Sequence, residues 1–301
     1  MLTTDRAHLI LDCRCTLGEG IVWDERRQCL YWTDILSHRL WRLDPASGEH
    51  HDWALPEALG CLALCEDGGL LLALAKSLRR AAPPEPGHPL ALTWLADVQP
   101  ALGAATRSND GRCDAAGNFV FGTKDETGRT PPLGRFFQYS HAHGLRELPL
   151  PPVAIPNAIG FSPDGRTLYC CDTVQPRILC ADYDPDRASV ANLRVFAEVD
   201  GGRSPDGATV DATGGLWNAH WDGGRVVRYA PDGRVDRVVA VPGGQVSCCA
   251  IGGPDLDTLY ITTAREDMDA AALARTPQAG GLFAVALGTR TGRPEPRFRS
   301  D

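Results

Sequence analysis

The chain has 301 residues, with 38 acidic against 30 basic side chains, a formal net charge of −8 and a pI near 5.5. That balance argues against nucleic acid or an anionic lipid surface as the main partner and is compatible with holding a divalent cation. Hydrophobic residues make up 43%, enough for a full core, while the densest apolar run, GGLLLALA at 68–75, is far too short to span a bilayer.

The first stretch, MLTTDRAHLILDCRC, has no basic segment ahead of a long apolar run, so no signal peptide is expected. From residue 21 one unit recurs: a strand ending in a polar corner, a turn, then a strand rich in aromatic or β-branched residues. In chain order it reads IVWDERRQCLYWTD, LALCEDGGLLLALA, GRCDAAGNFVFGT, IGFSPDGRTLYCCD, ATVDATGGLWNAHW and CAIGGPDLDTLYITT. The corner residues Asp24, Glu66, Asp114, Ser162, Asp211 and Gly253 are spaced by 42 to 49 residues. Asp-x-x-Gly and Pro-Asp-Gly corners supply the positive φ that a tight hairpin needs. Further alternating segments follow, among them HRLWRLDP, GRFFQYS, RILCADYD, RVVRYAPDG and GLFAVAL, and their period of two marks them as strands. Only MDAAALAR at 268–275 reads as a short helix. Four strands per unit, six times over, predict an all-β fold: one six-bladed β-propeller domain spanning 1–301. A β-sandwich or a pair of barrels is the alternative, which the even repeat disfavours.

The strand LYWTD at 30–34 is of a kind found in extracellular receptor propellers. Two features weigh against that class. The 11 cysteines are odd in number, include the adjacent pairs Cys170–Cys171 and Cys248–Cys249, and show no CxxC spacing; they read as buried reduced thiols. No Asn-x-Ser/Thr sequon occurs. The expected compartment is the cytoplasm.

Innermost propeller strands surround a central channel, so equivalent positions in each unit face one another there. Five residues before each corner stand Glu19, Cys61, Asn109, Asn157, Asp206 and Cys248. Two carboxylates and two carboxamides at one phase of the repeat are the hard oxygen donors that a divalent cation needs. Glu19, Asn157 and Asp206 suit Ca²⁺, Mg²⁺, Mn²⁺ or Fe²⁺ better than a thiolate site would. Three protein ligands leave positions open to water or substrate. Capping of strand turns is the bland reading of each residue taken singly. His50, His51, His141 and His143 are expected in solvated hairpins, and His220 is expected to pack in the core although it stands near the channel. The Pro-rich AAPPEPGHP at 81–89 is a loop, either a lid over the channel or a mere insertion.

The segments LGEGIVWD, RSNDGRCDAAGNFVFGT, IPNAIGFSPDGRTLY, SPDGATVDATGGLWNAHWDGGRVVRY, SCCAIGG and TPQAGGLF together resemble the senescence marker protein (regucalcin), gluconolactonase and sugar-lactonase family over nearly the whole chain. The resemblance implies a six-bladed propeller and one divalent ion (calcium, zinc, manganese, magnesium or iron) held by Glu19, Asn157 and Asp206. It implies hydrolysis of an aldonolactone to the aldonic acid, with Asp206 as the base and Arg107 and Asn109 on the sugar hydroxyls. Some members carry a further glutamate for the hydroxyls; an ungapped register puts Thr127 there, with Asp125 and Glu126 beside it. The partner expected is a small sugar lactone, and the chain is expected to be a monomer or weak homo-oligomer. A non-catalytic metal-binding regulator, and a hydrolase of phosphotriesters or bulky lactones, are the alternative functions.

Overall fold

The computed structural model describes residues 3–300, so the extreme ends of the expected 1–301 span lie outside the described residues. Six sheets, antiparallel but for one added edge strand, form the blades of a β-propeller. Their innermost strands are Gly18–Asp24, Leu59–Leu64, Thr106–Cys113, Pro156–Phe161, Ser204–Val210 and Gln245–Gly252. Each packs against the next around the channel, and the last returns to the first. The repeat read from the sequence is thus the blade.

The corners behave as their residues dictate. Asp211 accepts hydrogen bonds from the N–H groups of Thr213 and Gly215 and from the Trp217 indole at 2.9 Å. Gly214 takes φ 86° to close the turn. Asp114 is satisfied in the same way by Ala116, Asn118 and the Tyr183 hydroxyl.

The aspartate of LYWTD serves the backbone, since Asp34 accepts from Thr16 N at 2.9 Å and Leu17 N at 3.0 Å. Asp172, which ends LYCCD, accepts from Ala154 N and Ile155 N, both at 3.0 Å. Each fixes the loop leading into its own blade's innermost strand.

Four strands per blade holds for blades 1 to 4. Two features go beyond it. The sixth sheet is completed by His8–Leu11, which pairs antiparallel with Leu282–Ala286, so both ends of the chain lock the ring. Thr3–Arg6 adds a fifth, parallel strand to blade 5 beside Val235–Ala240. The expected helix is Ala270–Arg275, capped by the Asp269 carboxylate on Ala272 N at 2.7 Å. The Pro-rich loop lies at the rim, where the Glu85 carbonyl accepts from the Trp53 indole of blade 1; it is an insertion, not a lid. No helix among the described residues is long and apolar enough to cross a membrane.

Blades pack through apolar layers such as Tyr169, Ala208, Val210, Leu216 and Tyr229 between blades 4 and 5. The segment 292–299 crosses the far ends of the inner strands: Arg293 donates to Phe161 O, Phe298 N to Leu64 O, and Arg297 pairs with buried Asp24. The opposite end of the ring carries the site.

Candidate functional site

Every innermost strand slips register near its start, at the positions that face the channel. The slips fall between Glu19 and Val22, Leu59 and Cys61, Ser108 and Gly111, Asn157 and Gly160, Pro205 and Ala208, and Val246 and Cys248. A bulge turns a side chain out of the sheet alternation, here toward the axis. Gly20 (φ 56°) and Ala158 (φ 54°), each directly after a channel residue, take the left-handed conformation that makes the turn.

The bulges deliver Glu19, Arg107, Asn109, Asn157 and Asp206 to one cavity of about 350 Å³. All five are buried. Leu17, Lys124, Ile155, Thr173, Trp221, Asp222, Gln245, Glu266 and Asp267 line the rest of the wall. The cations stand on blade 3, and Asp222, Glu266 and Asp267 stand across from them on blades 5 and 6. Cys61 and Cys248 occupy the remaining ring positions as fully buried thiols, held far above their usual range by burial and by nearby carboxylates.

The carboxylates of Glu19 and Asp206 share the cavity, and burial followed by neighbouring carboxylate charge pushes both well above the usual range. Two buried carboxylates that share one cavity do not readily ionise together without a compensating cation. Among the described residues no three His, Cys, Asp or Glu side chains form a cluster of their own; the third donor is an amide oxygen. The Asn157 Nδ2 donates to Thr173 Oγ1 at 2.7 Å, which turns its Oδ1 the other way, toward Asn109 Nδ2 at 3.3 Å. Two carboxylates and an oriented carbonyl oxygen fit a hard divalent ion.

Arg107 lines the blade 3 wall of the cavity. Its guanidinium donates to Asn109 Oδ1 at 2.8 Å and pairs with Glu126 at 2.9 Å. Of the three residues around the ungapped position, Glu126 is the one that reaches Arg107. Thr127 and the Leu133 N–H are bound to Asp125 instead. Lys124, 3.8 Å from Glu126, also lines the cavity; sequence reading passed it over because it stands outside the ring phase.

Asp110 was also missed. It is a fully buried carboxylate beside the channel residues, and it accepts from Gly111 N at 2.8 Å and Ile159 N at 2.9 Å. It ties the bulge of blade 3 to that of blade 4. His220 does not reach the cavity: it is fully buried between Tyr229 Oη at 3.1 Å and Arg225 Nε at 3.2 Å. His50, His51, His141 and His143 stand on outer strands and hairpins away from the site.

Comparison with known proteins gives a consistent picture. Residues 17–265 match the family model described as the SMP-30/gluconolactonase/LRE-like region. The chain is 45% identical to an L-arabinolactonase of Azospirillum brasilense, over 97% of this chain and 95% of that one. It is 38% identical to a 6-deoxy-6-sulfogluconolactonase of Pseudomonas putida, over 94% of each. A crystal structure from Agrobacterium tumefaciens, described as the calcium-binding protein regucalcin, superposes with a TM-score of 0.90 at 32% identity, covering 99% of this chain and 100% of that one.

Proposed function

The chain belongs to the SMP-30/gluconolactonase/LRE-like family, and from that premise we propose that it opens an aldono-lactone, a pentonolactone foremost, with a divalent ion held by Glu19, Asn157 and Asp206. It is a sugar lactonase. The observation that carries the proposed site is the convergence of two buried carboxylates and an oriented carboxamide oxygen beside a guanidinium, in one cavity of about 350 Å³. The pentose preference draws on the 45% identity to the L-arabinolactonase.

When bound, a divalent ion there supplies Lewis acidity, polarising the lactone carbonyl and acidifying water. The protein's residues do the rest. Asp206 takes the proton from the attacking water, a role open to it once its carboxyl is ionised beside the cation. As the ring C–O bond breaks, the ring oxygen takes up a proton and leaves as the hydroxyl of the open-chain acid. Arg107 holds the sugar hydroxyls and so orients the ring. Asn109 contributes less directly: its Nδ2 is already donated to Pro156 O at 3.0 Å and to Asn157 Oδ1, and its Oδ1 accepts from Arg107. One lone pair remains for a hydroxyl.

The thiols support a reducing compartment such as the cytoplasm, since all 11 cysteines are unpaired. Acid release from a panel of pentono- and hexonolactones tests the substrate class. L-arabinono-1,4-lactone should have the highest kcat/KM; a clear preference for hexonolactones would overturn the pentose assignment.

A further inference from the structure

The innermost strands that present Glu19, Asn157 and Asp206 share a second feature. The carbonyl immediately before each of these residues accepts a hydrogen bond from a side chain of the preceding blade. Ser247 Oγ of blade 6 donates to Gly18 O. Asn109 Nδ2 of blade 3 donates to Pro156 O at 3.0 Å, and Thr173 Oγ1 of blade 4 donates to Pro205 O at 2.9 Å. Blade 2, whose ring residue is Cys61, has a looser version: Thr33 Oγ1 donates to Leu59 O, two residues ahead. The bulges are therefore tied blade to blade at the carbonyls that set the direction of the channel side chains.

Thr173 does more than the others. Its hydroxyl has one hydrogen and two lone pairs. The Asn157 amide nitrogen can only donate, so Thr173 Oγ1 accepts from it at 2.7 Å and directs its own hydrogen to Pro205 O. One hydroxyl thus sets which end of the Asn157 amide faces the cavity and pins the carbonyl next to Asp206. We propose that Thr173 is a positioning residue that couples Asn157 to Asp206 and holds both as oxygen donors for a divalent cation. This rests on the reading that Glu19, Asn157 and Asp206 hold the cation. Without the hydroxyl, only the longer 3.3 Å bond from Asn109 Nδ2 is left to favour the orientation of the Asn157 amide that presents oxygen. In the flipped orientation it turns N–H groups toward the ion and one ligand is lost. Groups that orient a ligand in this way are typically worth about ten- to a hundred-fold in metal affinity.

Valine matches threonine in shape but lacks the hydroxyl, and serine keeps the hydroxyl. Calorimetric titration with Ca²⁺ and with Mn²⁺ of the wild-type chain, Thr173→Val, Thr173→Ser and Glu19→Gln separates the possibilities, with the melting temperature of each metal-free protein recorded alongside. Thr173→Val should bind about ten- to a hundred-fold more weakly at an unchanged metal-free melting temperature, and Thr173→Ser should bind within about threefold of wild type. If Glu19→Gln weakens binding while Thr173→Val binds like wild type, the positioning role is wrong and the ligand set stands. If the wild-type chain binds neither ion, or Glu19→Gln binds as well as wild type, the ligand set itself fails. Equal weakening in Thr173→Val and Thr173→Ser would also overturn the proposal, because the hydroxyl would then not be the active feature.

Discussion

Glu19 and Asp206 stand on the innermost strands of blades 1 and 5, yet both buried carboxylates line one cavity at the channel mouth. Bulges in two separate strands aim them at the same point, and Asn157 completes the set from blade 4. If the two carboxylates act unequally, with Glu19 as ligand only and Asp206 as ligand and base, their amide variants should differ in kind.

Asp206→Asn should keep the fold and lower lactone hydrolysis by about two to four decades with the metal saturating, the scale of losing a general base. Steady-state rates at high divalent-ion concentration check this. Turnover near the wild-type rate would remove Asp206 from the role of base.

Glu19→Gln should act on metal affinity first and on rate second, because one of two ligand charges is lost. Its activity should rise with added divalent ion toward a plateau, whereas Asp206→Asn should stay low at every concentration. A metal titration of activity for both variants distinguishes them, and identical curves would refute the division of labour.

Arg107→Ala should damage turnover of hydroxylated lactones far more than of butyrolactone, which has no hydroxyls to hold. Losing a hydrogen bond to a charged group costs about 1.5–3 kcal/mol, or about ten- to a hundred-fold in kcat/KM. Because Arg107 also pairs with Glu126 and donates to Asn109, a purely bracing role would hurt both substrates alike. The ratio of the two losses decides between them.

His220 gives a pH prediction that does not involve the site. Burial, then the nearby Arg225 charge, pushes its imidazole down to about 3. A histidine lowered in the folded state binds its proton more readily when unfolded. Its stabilising contribution is therefore complete above the unfolded value near 6.5 and is lost as pH falls toward 3. The slope is about 1.4 kcal/mol per pH unit for one group. Urea unfolding between about pH 6.5 and 4.5 should show a shallower decline for His220→Gln than for wild type; equal slopes would mean that another group sets the acid limit.

The fold was legible because most blades repeat a turn chemistry that only a few residues satisfy: a polar corner residue such as Asp114 or Asp211, followed by a Gly at positive φ such as Gly68, Gly117, Gly165 or Gly214. The phase of the channel-facing residues was legible for the same reason, since Glu19, Asn157 and Asp206 all sit five residues before a corner and line one cavity. Asp110, Lys124 and Thr173 were not legible. A bulge shifts which neighbour faces the channel by one residue, so Asp110 turns inward beside Asn109 although an even alternation points it away. Thr173 lies in the turn after a second strand, outside any ring phase. Ring closure by His8–Leu11 was missed because HLIL is only four residues long and its partner, Leu282–Ala286, lies at the other end of the chain. The choice among Asp125, Glu126 and Thr127 depends on the loop from 126 to 133, whose path is set by Asp125 gripping Thr127 and Leu133.

The central claim, a lactonase whose turnover needs a divalent ion in this channel, is tested most directly by following acid release from L-arabinono-1,4-lactone before and after exhaustive chelation. The chelated protein should lose nearly all activity and regain it when a single kind of divalent ion is added back, with no recovery in a Glu19→Gln/Asp206→Asn double variant. Undiminished hydrolysis by metal-free protein would contradict it.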